Sequence, residues 1–219
     1  IIGIDIPVVA VMGIGQNVQK FDLQLYLRSR FIDKGYKVSQ IGTKKISGLF
    51  GLHPLPDFLF NTQYSDVDKV YAFNRVMKDV SMQEKPDVIL LGIPDSLLPL
   101  NNKHRFSFGL YAYEIFNAVQ PDFVITSLMA NNGYNDEFYS EISKMAKYKY
   151  NVNIDAYFVS QFCPLSNSIW SEKLSYVYLP RMELPKTEYK VYTTSDLNND
   201  ILFKQAEKKL LLYGKYEQY

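Results

Sequence analysis

The amino-acid sequence predicts a three-layer α/β domain built on a doubly wound, mostly parallel β-sheet. Short continuous apolar runs such as Val8-Val9-Ala10-Val11-Met12 and Val88-Ile89-Leu90-Leu91 lack the polar alternation of a half-exposed strand, so they suit strands covered on both faces. Segments of helical periodicity lie between them, and strand and helix alternate over about 150 residues. Glycine or proline marks the junctions, as at Gly35, Lys85-Pro86-Asp87 and Gln120-Pro121-Asp122. With 219 residues and 47% hydrophobic content, the chain can bury one sizeable core.

The elements follow in order. Residues 1–6 read as a linker from an upstream region, and 7–219 as a single domain whose regularity falls from about residue 165. The first strand is expected at 7–13, rich in β-branched residues and ending in Gly13. A helix over 20–34 sets Phe21, Leu25 and Ile32 beside Leu23, Leu27 and Phe31, with Asp22, Ser29 and Asp33 opposite. A second strand over 36–42 completes a β–loop–α–turn–β unit. The Gly/Pro-rich, aromatic stretch 47–60 reads as an ordered loop. A helix over 65–82 groups Val67, Val70, Tyr71, Asn74, Met77 and Val80. Strands at 88–92 and 123–126 each follow a Pro-Asp pair, where proline ends the helix before it. Helices are expected at 106–119 and 136–149, and a fifth strand at 154–161. Short edge strands at 174–179 and 189–193 and a helix over 196–213 close the chain.

Composition narrows the function. A formal net charge of +1 without a basic stripe argues against a nucleic-acid partner. The single cysteine, Cys163, excludes an intrachain disulfide and fits a reducing, cytoplasmic setting. No histidine neighbours it, so it reads as a structural thiol. No apolar run reaches the roughly 20 residues of a membrane span, and the start Ile1-Ile2-Gly3-Ile4-Asp5 has neither an initiating Met nor a basic region. His53 and His104 stand alone in loops, without partners at metal-ligand spacing.

In sheets of this kind ligands bind beyond the carboxyl ends of the strands. The first such loop here is Gly13-Ile14-Gly15-Gln16-Asn17-Val18-Gln19-Lys20-Phe21. A P-loop reads G-x-x-x-x-G-K-[ST]: its glycines let amides wrap phosphate, its lysine reaches the β/γ-phosphates and its hydroxyl ligates Mg²⁺. Aligned on Lys20, this loop keeps the lysine and the early glycines, but Gln19 replaces the second glycine and Phe21 the hydroxyl residue. The fold expected is therefore P-loop NTPase-like with a degenerate loop. Gly13, Gly15, Gln16, Asn17 and Lys20 are the candidate contacts for ATP or GTP with Mg²⁺, and Asp95, after the third strand, is the candidate metal carboxylate. A plain strand-to-helix turn, a solvated Lys20 and a turn-capping Asp95 account for the same residues. Thr43 and Asn131-Asn132-Gly133, at neighbouring strand ends, also read as turn residues or ligand contacts.

Several segments in order carry a resemblance: the loop followed by Leu23-Gln24-Leu25, then Gly35-Tyr36-Lys37-Val38-Ser39-Gln40-Ile41-Gly42, Leu49-Phe50-Gly51-Leu52-His53, Phe108-Gly109-Leu110-Tyr111-Ala112-Tyr113-Glu114-Ile115 and Ala118-Val119-Gln120-Pro121-Asp122. Together they resemble the clostridial peptide-maturation-system proteins, encoded beside ribosomally made, modified peptides. The resemblance covers most of the chain from Pro7. It implies a longer N-terminal region and Lys-Phe in place of Lys-Ser/Thr as a family trait. It also implies descent from a nucleotide-binding ancestor; Gln19 departs from relatives that keep a Gly-Lys pair. No reaction is established for the family, so it transfers no catalytic residue.

Two functional readings stay open. One is a binding scaffold of peptide maturation that docks a precursor peptide or maturation enzyme through an aromatic loop at 53–64 or a sheet edge, and that is favoured by the eroded loop. The other is a nucleotide-dependent enzyme or switch acting in the same process. A homodimer is compatible with either. The orientation of Gln19, Lys20 and Phe21 separates them: Phe21 in the core with Lys20 at an empty anion-sized hollow favours the phosphate site, and a cleft plugged by Gln19, or a Lys20 paired with Asp95 across a closed cleft, favours the scaffold.

Overall fold

The computed structural model describes residues 1–180 and 182–213, so the last six residues of the expected domain lie outside the described ones. In chain order the elements are β1 (Val8–Ile14), α1 (Lys20–Asp33), β2 (Val38–Gly42), β3 (His53–Pro54), α2 (Asp66–Glu84), β4 (Val88–Gly92), α3 (Leu110–Ala118), β5 (Phe123–Leu128), α4 (Asp136–Tyr150), β6 (Ala156–Val159), β7 (Phe162–Pro164), β8 (Tyr176–Tyr178), β9 (Val191–Tyr192), α5 (Thr194–Leu197) and α6 (Ile201–Tyr213). Seven strands form one sheet in the order β3-β2-β4-β1-β5-β6-β9. Every pairing in it is parallel. β7 and β8 form a separate antiparallel ribbon.

β1 is central because both its faces are apolar and both are covered. Val8, Ala10 and Met12 join Ile89, Leu91, Phe73, Met77, Ile115 and Tyr150 on the side of α2, α3 and α4. Val9 and Val11 join Leu23, Leu27, Phe31, Phe158 and Phe203 on the side of α1 and α6. Each fully buried aliphatic side chain contributes about 1.5–3 kcal/mol, which is why uninterrupted apolar runs settle here and not at an edge.

The winding sets the position of the site. The chain leaves β1 into α1 on one face, whereas it leaves the adjacent β4 toward α3 on the opposite face. Loops that part to opposite faces from neighbouring strands open a crevice at their carboxyl ends.

The structure departs from the expected elements in informative ways. Stretch 47–60 folds into 3-10 helices at Lys45–Phe50 and Asp57–Phe60 joined by the short β3. Helix α2 buries Lys69, Phe73, Asn74, Met77 and Val80, leaving Val67 63% and Tyr71 55% exposed, so its inner face is rotated from the expected one. Ile32 on α1 is likewise exposed, while the polar Gln24 is buried. Helix α3 starts at Leu110 and not at 106, because Phe106, Phe108 and Gly109 all take left-handed φ values of 52°, 54° and 76°. The closing helix is broken at Asp200, with φ 56°, and β7 was not expected at all. Among the described residues no helix is long and apolar enough to cross a membrane.

Candidate functional site

The loop between β1 and α1 is shaped by close approach. A Cβ on Gly13 would stand 2.8 Å from Val18 Cγ2 and 2.9 Å from Lys20 Cδ, so the absent side chain is what lets the lysine stem cross the strand end. Gly15 takes φ 108°, and its amide donates to Ser96 Oγ over 2.7 Å. That hydroxyl donates in turn to the Leu98 carbonyl, which fastens the loop after β1 to the loop after β4.

Gln19 occupies the position of the second P-loop glycine and adopts left-handed φ 57°, a conformation glycine takes without strain. Its side chain does not plug the cleft. Gln19 Oε1 accepts from the Gln161 amide over 2.8 Å, which turns it toward the loop after β6. Phe21 is 7% exposed, with its ring 6.2 Å from that of Phe50 and the Lys44 ammonium 5.3 Å from its centroid. Among the described residues, the amides of 16–20 donate to no protein acceptor; for Gln19 and Lys20 that is expected of a helix start, whose first N–H groups have no intrahelical partner.

Lys20 opens α1, and its Nζ donates to the backbone carbonyl of Asp95. Burial lowers the Lys20 pKa to about 8 against the attraction of Asp95. Asp95 sits at φ 56°; its Oδ2 accepts from the Ser107 amide over 2.8 Å, and its Oδ1 is buried without a partner. A cavity of about 460 Å³ opens beside them, within the range of small-molecule sites. Its lining includes the polar and charged Gln16, Asn17, Lys20, Thr43, Lys44 and Asp95 and the apolar or aromatic Leu55, Phe60, Pro94 and Tyr111.

The structure thus brings Gln16, Asn17, Lys20, Asp95 and Thr43 to one cleft, with Gly13 and Gly15 shaping the backbone beneath. It does not bring the other candidates there. Asn131 Oδ1 accepts from the Gly133 amide over 2.7 Å, a turn contact. His53 pairs with Glu84, which also accepts from Ser39, at the β2–β3 edge. His104 Nε2 is buried without a partner, away from the cleft lining. Sequence reasoning missed Lys44, Phe60 and Tyr111; the aromatic content of 47–60 was the available signal, but not the way that segment folds over the strand ends.

The residues present do not fit the Mg²⁺ centre of a working P-loop. The position that would supply the hydroxyl, Phe21, packs against Phe50, and one oxygen of Asp95 is engaged by Ser107. Among the described residues, no three His, Cys, Asp or Glu side chains gather into a metal-binding group.

No family profile and no characterised protein sequence matches the chain. Among solved structures, a DUF1611 family protein from Anabaena variabilis superposes with a TM-score of 0.53 at 13% identity, over 72% of this chain and 46% of that one. A GTPase from Pyrococcus abyssi in its apo form superposes with a TM-score of 0.39 at 12% identity, over 72% and 68%. A MobB protein homolog from Bacillus stearothermophilus gives 0.40 at 12% identity, over 94% and 98%. The chain spans about half the length of the Anabaena protein. At these identities the likeness is one of fold alone: a mostly parallel α/β sheet covered by helices.

Proposed function

We propose that this protein is a binding module that holds the phosphates of ATP, GTP or a similar organic phosphate at the β1–α1 loop, and that it does not act as an efficient Mg²⁺-dependent NTPase. The observation that carries this reading is the open cleft beside Lys20: Gln19 is turned out of it, and Phe21 lies in the core. Free amides at a helix start, together with an ammonium, suit an anion. Gly13, Gly15, Gln16, Asn17 and Lys20 would cradle the phosphate, while Lys44 adds positive charge at the rim. Phe21 stands where a P-loop carries the hydroxyl that meets its metal.

The resemblance to peptide-maturation proteins supplies the setting we infer for it: a cytoplasmic accessory scaffold of modified-peptide biosynthesis. A precursor peptide or maturation enzyme would dock on the aromatic surface at 53–64, where Phe60 and Tyr64 are exposed. Self-association into a dimer belongs to the same proposal. The orphaned Asp95 Oδ1 favours a second reading, a nucleotide-dependent enzyme or switch in which that oxygen meets a cation accompanying the phosphates.

Equilibrium dialysis with ATP and GTP, run beside an assay of phosphate release with Mg²⁺, separates the two. The binding-module reading expects retained nucleotide with no release above background. Release that depends on Mg²⁺ and on Asp95 would replace it with the enzyme reading.

A further inference from the structure

We infer that the cleft selects an organic phosphate carrying a flat aromatic group, held against a wall formed by Leu55, Phe60 and Tyr111. This rests on the proposal that phosphate is bound beside Lys20. The cavity, at about 460 Å³, is far roomier than a phosphate group needs. Its lining combines charged groups, Lys20, Lys44 and Asp95, with the apolar and aromatic side chains of Leu55, Phe60 and Tyr111. A pocket with a few charged groups and an apolar wall matches a ligand that is itself charged at one end and apolar at the other.

The wall is preformed. Phe60 and Tyr111 meet edge to face, with centroids 5.1 Å apart at 72°. Phe60 ends a 3-10 helix anchored by the fully buried Leu59, which keeps the ring at the rim with 38% of the residue exposed. Tyr111 lies in the first turn of α3, and the residue before that helix is held tightly. A Cβ on Gly109 would stand 2.0 Å from Tyr150 Oη and 2.7 Å from the Leu97 carbonyl. Tyr150 itself is buried and donates to that same carbonyl. Two rings fixed before a ligand arrives lose little side-chain freedom on binding, which is how an aromatic surface gains affinity at low entropic cost. The outer surface of Phe60 is the part left for a ligand's ring to cover.

The test compares inorganic phosphate with phenyl phosphate by calorimetry on the wild type, Phe60→Ala, Tyr111→Leu and Lys20→Met. Phenyl phosphate is expected to bind the wild type about tenfold more tightly, the order of magnitude of one ring–aromatic contact. That ratio should fall toward one in Phe60→Ala and in Tyr111→Leu, the second variant keeping an apolar side chain in case the first unfolds. Lys20→Met should weaken both ligands and leave the ratio in place. Equal binding of the two ligands to the wild type, or an undiminished ratio in both wall variants, would overturn the aromatic wall while leaving the phosphate site standing. Failure of both ligands to bind the wild type at millimolar concentration would overturn the phosphate site and this inference with it.

Discussion

Replacing Lys20 with methionine should make the protein more stable at neutral pH while weakening its affinity for phosphate. Burial brings the Lys20 pKa from the ordinary 10.5 to about 8. At ~1.4 kcal/mol per pH unit, holding the ammonium charged in the fold costs about 3 kcal/mol. Methionine removes that cost and leaves the Asp95 carbonyl without its donor, a loss of about 1 kcal/mol, so the net gain is about 2 kcal/mol. For a chain of this size that is a rise in Tm of about 4–8 °C. The pH dependence has a definite sign. Below pH 8 both states are protonated and the full cost is present. Between pH 8 and 10.5 the folded state releases its proton while the unfolded chain keeps it, so wild-type stability climbs and the advantage of methionine shrinks. Urea unfolding of both proteins at pH 7 and pH 10 measures this, since the other titrating groups cancel between them. A variant less stable than wild type at pH 7, or a difference that does not change by pH 10, would refute the picture of a desolvated lysine facing the cleft.

Three further outcomes follow from the same geometry. Gly13→Ala should cost about 1–3 kcal/mol in urea unfolding, because its methyl group meets Val18 and the Lys20 stem, and phosphate affinity should fall with it. Phosphate affinity, measured by calorimetry at constant ionic strength, should decline above pH 8 by up to about tenfold per pH unit as Lys20 loses its proton. Glu114→Ala should destabilise by about 3 kcal/mol, since it strands the ammonium of Lys69, whose 3.2 Å ion pair with Glu114 is buried between α2 and α3; Lys69→Met combined with Glu114→Leu should recover most of that loss in the same denaturation assay.

The strands were legible because burial on both faces leaves an unmixed apolar run, and Val88–Gly92 falls where the sequence placed it. The β1–α1 loop was legible as a strand-to-helix turn, because Gly13 and Gly15 follow an apolar run and precede a helical period. What could not be read were choices made by tertiary contact. The inner face of α2 follows Phe73 and Met77, which pack into the core, and not Val67 and Tyr71; the same rotation brings Lys69 to Glu114. Nothing local to Gln19 says that its side chain will be anchored by the Gln161 amide, 142 positions away, so whether the cleft was plugged had to await the fold. The aromatic wall depends on a short 3-10 helix meeting the first turn of α3, and a single 3-10 turn is too short to carry a periodic signal.

The most direct test of a phosphate-holding cleft is calorimetric titration of ATP and GTP, with and without Mg²⁺, into the wild type and Lys20→Ala at pH 7. Micromolar binding is expected, lost in the variant and little changed by omitting Mg²⁺. Absence of heat at millimolar nucleotide, or equal binding by the variant, would contradict it.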